Sequence, residues 1–258
     1  MNDYRPLIFA HRGGADALPE HTLGAYLRAL EDGADGLECD VRLTRDGHLV
    51  CVHDRNLNRT SNGRGLVSSK TLAELDELNF GSWHPSYPGD EELPELGRLL
   101  TLDRLLSALR DRGLPTRLLI ETKHPSRYGA EVERKLVEML DRHGLPDEQV
   151  QVTVMSFAAL ALRRIRTHAP RVPTVYLLEI LPPGVGRGRL PFGARIAGPG
   201  VGLVRSRPSL VPAIKQAGHQ VYVWTVNEPA DLEMVLDHQV DGVITDRPKF
   251  ALERLTEM

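Results

Sequence analysis

Long apolar runs are missing from this 258-residue chain. A bilayer span needs about 18 to 20 consecutive apolar residues, so no transmembrane helix is expected. The opening "MNDYRPLIFA" lacks a basic stretch followed by a long apolar one, so no secretory signal is expected and the cytoplasm is the default location. Cysteine is scarce. Cys39 and Cys51 offer neither a disulfide framework nor zinc-site spacing, and two free thiols are expected. An excess of either charge is also absent: 32 basic and 35 acidic residues leave a formal net charge of −3. That balance gives no grip on nucleic acid and no reason for stable membrane association, and interleaved acids and bases read as ordinary solvated surface.

What the chain does have is alternation. Short apolar, β-branched segments are expected as strands at Leu7–Ala10, Gly36–Val41, Arg117–Glu121, Val150–Met155, Thr174–Leu178, Gly202–Val204, Gln220–Thr225 and Gly242–Thr245. Amphipathic helices are expected at Thr22–Glu31, Leu102–Arg112, Ala130–Arg142, Ala158–His168, Leu210–Ala217 and Ala230–His238. Eight strands alternating with helices over this length point to one TIM (β/α)8 barrel domain spanning residues 1–258. A doubly wound open sheet has the same periodicity. Two regions interrupt the pattern. Residues 54–100 hold a short helix candidate, Leu72–Asn79, among Gly, Pro and Ser, and read as an insertion on the loop face. Residues 179–201 are too rich in Gly and Pro for a plain connection, and following a strand they are expected at the barrel mouth, either as an ordinary surface loop or as a mobile flap whose Arg187, Arg189 and Arg195 attract an anionic ligand.

"GLECDVRLTRDGHLVCVHD", Gly36 to Asp54, carries the densest chemistry. Asp46-Gly47 is a strong hairpin signal. A two-residue loop there pairs Val41 with Val52 and sets Asp40 opposite His53. Glu38 and Asp40 then share a face with His53, while Cys39 and Cys51 fall on opposite faces. A three-residue loop with a bulge at Gly47 would invert His53, and a four-residue loop would restore it. Two carboxylates at i and i+2 are hard oxygen ligands suited to Mg²⁺ or Ca²⁺, although a solvated polar strand end fits that spacing equally well. Glu121, in "LLIETKHP", breaks the tie. In a barrel the strand C-termini converge, bringing His11, Arg12, Glu38, Asp40, Glu121 and Lys123 to one mouth. A histidine alone after a strand is ordinarily a surface group; this assembly is not. Asp54 is placed to orient His53 or Arg12. Ser156 lacks the Gly-x-Ser-x-Gly elbow of a serine hydrolase.

These residues sit within "AHRGG…PEHT", "GLECDVRLTRDG", "VHD…LNRTSNGRG", "IETK", "MSF", "VYVWTVN" and "DGVITDRP". In order and spacing, the seven motifs resemble the glycerophosphodiester phosphodiesterases, from Ala10 to Pro248. The resemblance implies a TIM barrel with a family-type insertion at about 54–100, and hydrolysis of a small glycerophosphodiester to glycerol 3-phosphate and an alcohol by way of a cyclic phosphate. It implies a divalent cation, Mg²⁺ or Ca²⁺, held by Glu38, Asp40 and Glu121. His11 and His53 would be the general acid–base pair, Arg12 and Lys123 would face the phosphate, and Phe157 and Trp224 would line the cleft. Glu20 would stand near the metal. One departure is visible: His21 stands where the family usually has Asn, so Thr22 is expected to cap the following helix. A lysophospholipase D-type or other phospholipase-like enzyme on the same barrel, and a non-catalytic phosphodiester binder, are the other readings.

Overall fold

A computed structural model describes residues 4–89 and 94–257. In its first half the elements run β1 (Leu7–His11), α1 (Leu23–Glu31), β2 (Gly36–Leu43), β3 (Leu49–Cys51), α2 (Leu72–Asp76), α3 (Leu102–Asp111), β4 (Thr116–Thr122), α4 (Glu131–His143) and β5 (Val150–Ser156). The second half runs α5 (Ala159–His168), β6 (Thr174–Leu178), β7 (Ile196–Pro199), α6 (Val201–Ser206), α7 (Leu210–Gln216), β8 (Gln220–Val223), α8 (Pro229–Asp237), β9 (Gly242–Thr245) and α9 (Pro248–Thr256). The sheet order β1-β9-β8-β7-β6-β5-β4-β2 closes on itself through a β1–β2 pairing, with β3 added antiparallel to β2. This is the expected parallel eight-stranded barrel, not the open sheet. No helix among the described residues is long and apolar enough to cross a membrane.

Strand alternation sorts the core. Phe9, Leu119, Met155, Val175, Leu177, Ile196, Tyr222 and Ile244 fill the barrel interior. Their chain neighbours, such as Ala10, Leu118 and Ile120, pack outward against the helices. Thr22 caps α1 by accepting from the Ala25 amide, as expected. The connection from β3 to α3 carries α2 and a small apolar core of its own, built on Leu57, Val67, Leu75, Phe80 and Leu99 against Val50 and Val52. Residues 90–93 of the expected insertion lie outside the described residues.

Three expectations are corrected. First, the β2–β3 register pairs Val41 with Cys51 and Leu43 with Leu49, which is the three-residue loop. Gly47 takes φ +83, the left-handed conformation that such a loop needs and that favours glycine. Cys39 and Cys51 therefore share the outward face, where both are buried free thiols. Second, Gly202–Val204 is helical, inside α6, and the seventh strand is Ile196–Pro199, whose Ala-Gly-Pro sequence carries little strand signal. Third, the segment expected at 179–201 is not a flap over the mouth: its first residue, Glu179, lines the catalytic cavity, but residues 180–195 leave it. They replace the helix between β6 and β7 on the barrel's outer wall. Val185 is buried in the outer core with Val211 and Ile214 of α7. The Arg166 side chain donates to the Gly193 carbonyl at 2.9 Å, tying the segment to α5. Arg195 precedes β7, at the end of the barrel opposite the mouth formed by the strand C-termini, where its carbonyl accepts from the Gln220 amide at 3.0 Å.

Candidate active site

Register builds the acid cluster. Glu38 and Asp40 alternate with the outward residues Leu37, Cys39 and Val41, so both point into the barrel. The β2–β4 register sets Asp40 beside Glu121, and the β1–β2 register sets Glu38 beside His11. The three carboxylates offer ligand atoms all within 4.8 Å of one another, and all three are buried. Burial, then repulsion from Asp40, holds the Glu38 carboxyl well above the usual range. The same two causes push Glu121 up to about 8. Burial alone would also raise Asp40, but Lys123, His21 and Arg12 hold it well below the usual range. Lys123 Nζ lies 3.2 Å from Asp40 Oδ1 and 2.9 Å from Glu121 Oε1. Without a further cation this cluster is under-neutralised. Three buried oxygen donors with no thiol among them suit a hard divalent ion, so the residues present fit a metal.

Two histidines flank the cluster, each braced at Nδ1 by a carboxylate. His11 Nδ1 is 2.6 Å from Asp246 Oδ1, and its Nε2 lies 3.9 Å from Glu38 Oε2. Asp246 is held in turn by Asn227, whose side-chain amide donates to Oδ2 at 2.6 Å. His53 Nδ1 is 2.7 Å from Asp54 Oδ1. In the inverted register His53 would face away, but β3 ends at Cys51. Val52 still donates to the Asp40 carbonyl at 3.1 Å, and then the chain bends and His53 enters the cleft. Burial, reinforced by Lys123 and Arg12, lowers the His53 imidazole to about 4. Asp54, bonded to Arg59 and His53, is lowered to about 2.

A cation–carboxylate chain links the two sides. Arg59 donates to Asp54 Oδ2 at 2.7 Å and to both Glu20 oxygens, and Arg12 donates to Glu20 Oε1 at 3.2 Å. Glu20 thus clamps two guanidinium groups beside the acid cluster. Arg12 stands at φ +52, with its backbone amide 3.1 Å from the Glu38 carbonyl oxygen. Its buried Nε is 3.2 Å from Asp40 Oδ2 but out of line for a hydrogen bond. His11, Arg12, Glu38, His53, Glu121 and Lys123 line one cavity of about 300 Å³. The opposite wall includes Phe157 and Trp224, whose rings meet edge to face at 5.3 Å. Phe157 is 40% exposed, a large apolar ring left open to the cleft.

Residues 11–250 match the model of the glycerophosphoryl diester phosphodiesterase family. The chain belongs to that family. It is 46% identical over 247 residues to the Mycobacterium tuberculosis protein named "Probable glycerophosphodiester phosphodiesterase 1", covering 94% of this chain and 90% of that one. It is 34% identical over 251 residues to the glycerophosphodiester phosphodiesterase of Bacillus subtilis, covering 95% and 84%. Among solved structures, a phosphodiesterase of Oleispira antarctica in complex with the product sn-glycerol-3-phosphate superposes with a TM-score of 0.81 at 25% identity, covering 97% of each chain.

For this family member, reading the sequence missed several residues that the fold brings to the site. Asp246 and Asn227 were visible only inside the motifs "DGVITDRP" and "VYVWTVN"; nothing local marks Asp246 as the partner of a histidine 235 positions away. Arg59 lies in "LNRTSNGRG" among other polar loop residues. His21, read in the sequence only as a departure from the family's usual Asn, is buried at φ +59 with Nε2 2.9 Å from Asp40 Oδ2 and Nδ1 2.7 Å from the Tyr26 hydroxyl. Burial lowers its pKa, so the neutral ring donates from Nε2 to Asp40 and accepts from Tyr26.

Proposed function

We propose that this protein hydrolyses glycerophosphodiesters to glycerol 3-phosphate and an alcohol, with Glu38, Asp40 and Glu121 holding Mg²⁺ or Ca²⁺ and with His11 and His53 as the acid–base pair. The observation that carries this reading is a cluster of three buried carboxylates, two of them lining the cavity, beside two histidines that line the same cavity and are each braced by an aspartate. A divalent ion bound there supplies positive charge against the phosphoryl oxygens. Arg12 and Lys123 add fixed cations at the same place, in a partly dry cleft where they act with little reorganisation.

The imidazoles carry the protons. With each Nδ1–H directed at its aspartate, both Nε2 atoms face the cleft. One ring takes the proton from the neighbouring glycerol hydroxyl as that oxygen attacks phosphorus. The other gives a proton to the departing alkoxide as the P–O bond breaks. Water then opens the cyclic phosphate with the roles reversed, which restores both rings, so each must serve as acid and as base. Phe157 and Trp224 provide an apolar wall for the carbon skeleton and exclude water from one side.

Turnover of glycerophosphocholine tests the reading. We expect hydrolysis that EDTA abolishes and that added Ca²⁺ or Mg²⁺ restores. Undiminished turnover of a metal-stripped enzyme would remove the metal from the mechanism, and no turnover of any glycerophosphodiester would remove the activity.

A further inference from the structure

A second, smaller hollow adjoins the catalytic cavity at Lys123. Arg42, Arg55, Lys123 and Arg127 line it, with the Ser68 and Ser126 residues between them, and no carboxylate lines it. Lys123 belongs to both this hollow and the catalytic cavity. Arg42 gives two hydrogen bonds to the His53 carbonyl, at 2.9 and 2.6 Å, so it fixes the backbone of a catalytic histidine without having its charge neutralised there. Arg55 and Arg127 are exposed and make no side-chain hydrogen bond or ion pair among the described residues. The acids that reach Arg42 electrostatically, Asp40, Glu121 and Asp54, belong to the metal cluster and to the His53 brace, while Arg55 opposes its charge. The two walls are tied together: the Tyr128 hydroxyl donates to the Ser68 carbonyl at 2.6 Å, and the Tyr128 amide to Ser126 Oγ at 3.1 Å.

Lys123 is paired with Asp40 and Glu121 on its catalytic-cavity side, but Arg42, Arg55 and Arg127 meet no carboxylate within the hollow, and their mutual repulsion is relieved when an anion arrives. We propose that this hollow is a subsite for a second anionic group, a phosphate or phosphodiester, carried on the leaving alcohol of the substrate. The proposal rests on the phosphodiesterase reading above and narrows its substrate class. Its place fits that role: Lys123, which in the reading above faces the reacting phosphate, also lines the hollow, so the two sites meet at this residue and Arg55 and Arg127 stand in the hollow's wall. The hollow is narrow, about 20 Å³, close to the volume of one water. The anion would therefore cap it, held between the two exposed arginines, rather than enter it.

The test compares kcat/KM for glycerophosphoglycerol, whose head group is neutral, with that for its phosphorylated form, glycerophosphoglycerol phosphate, at low salt. The parent enzyme should favour the second substrate, and the Arg55→Gln/Arg127→Gln variant should lower that ratio about tenfold, the effect of two exposed charge contacts. The preference should shrink as salt rises, because screening shortens to ~8 Å at 0.15 M. Arg187→Gln/Arg189→Gln, on the outer wall, is the charge-matched control and should leave the ratio unmoved. An unchanged ratio in the first variant overturns the subsite. So does an equal loss on both substrates, which would assign the arginines to the shared glycerophosphate unit, or an equal shift in the control, which would assign the effect to the overall charge. Competitive inhibition by inorganic phosphate that the first variant loses, with the ratio unmoved, would make the hollow a free-phosphate site and also overturn the proposal. Failure of the parent to cleave either diester sinks the phosphodiesterase reading itself, and the subsite falls with it.

Discussion

Asp246 Oδ1 stands 2.6 Å from His11 Nδ1 across the seam where the first and last barrel strands pair. Ala10 is in register with Thr245, so the next residue on each strand, His11 and Asp246, is brought side by side by barrel closure itself. Burial would raise the Asp246 carboxyl, but its hydrogen bonds to His11 and Asn227 keep it ionised and lower its pKa. An ionised Asp246 accepts from Nδ1–H and leaves Nε2 free for the proposed proton transfers. Asp246→Asn should therefore cut kcat by about 10²- to 10⁴-fold through the wrong tautomer, with KM and melting temperature little changed. A loss of less than threefold would show that His11 needs no such partner.

That relationship also marks the limit of what the sequence discloses. The barrel, the acid cluster and both histidines were legible, because strand periodicity and a 2-residue carboxylate spacing are local signals. His53 was legible for an incomplete reason. The face argument assumed that the strand continued, and in the register observed it would have turned His53 away; termination of β3 at Cys51 brings it back. Asp246, Asn227 and Arg59 were not legible because their roles arise from closure and from a loop path, which leave no periodic trace. The seventh strand was hidden by its small residues, and the outer-wall segment 180–195 resembled a mobile loop because Gly and Pro replace the amphipathic pattern that packing usually requires.

Metal binding should release protons. In the metal-free protein burial and Asp40 keep Glu121 near a pKa of about 8 and Glu38 well above the usual range, so at pH 7 the cluster holds protons that a divalent ion must displace. Calorimetric titration of the stripped protein with Ca²⁺ or Mg²⁺, in buffers of differing ionisation enthalpy, should show release of roughly one proton or more, with affinity rising about tenfold per pH unit per proton released. Glu121→Ala should lose tight binding. Binding that is independent of pH between 6 and 8 would mean that the carboxylates are already charged without the ion.

His53 should titrate far below an ordinary histidine. Its pKa is lowered to about 4 by burial and by Lys123 and Arg12, against the pull of Asp40 and Asp54. The sign follows from linkage. The unfolded chain takes up the proton near 6.5 and the folded one only near 4, so the stability tied to neutral His53 is present above about 6.5 and is lost as pH falls toward 4. Imidazole carbon shifts in the metal-free protein should give a midpoint near 4 rather than 6.5, and Lys123→Gln should move it upward. A midpoint of 6 or higher would mean that solvent reaches the ring.

The segment between β6 and β7 should matter to stability and not to catalysis. Gly188 has φ +73, and a Cβ built there falls 2.1 Å from the Cβ of Ala217, just beyond α7. A side chain at this position meets both an unfavourable backbone and a collision with the outer wall. Gly188→Ala should destabilise by about 2 to 4 kcal/mol, combining strain with overpacking. The arginines of the segment lie on the same outer wall or beyond it, away from the acid cluster. Replacing Arg187, Arg189 and Arg195 together by Gln should therefore leave kcat, KM and the salt dependence of KM as in the parent. Thermal melting separates the two roles: Gly188→Ala should melt several degrees lower while its kcat at low temperature stays normal. A raised KM in the triple variant, or a lost kcat in a still-folded Gly188→Ala, would return the segment to the mouth of the barrel.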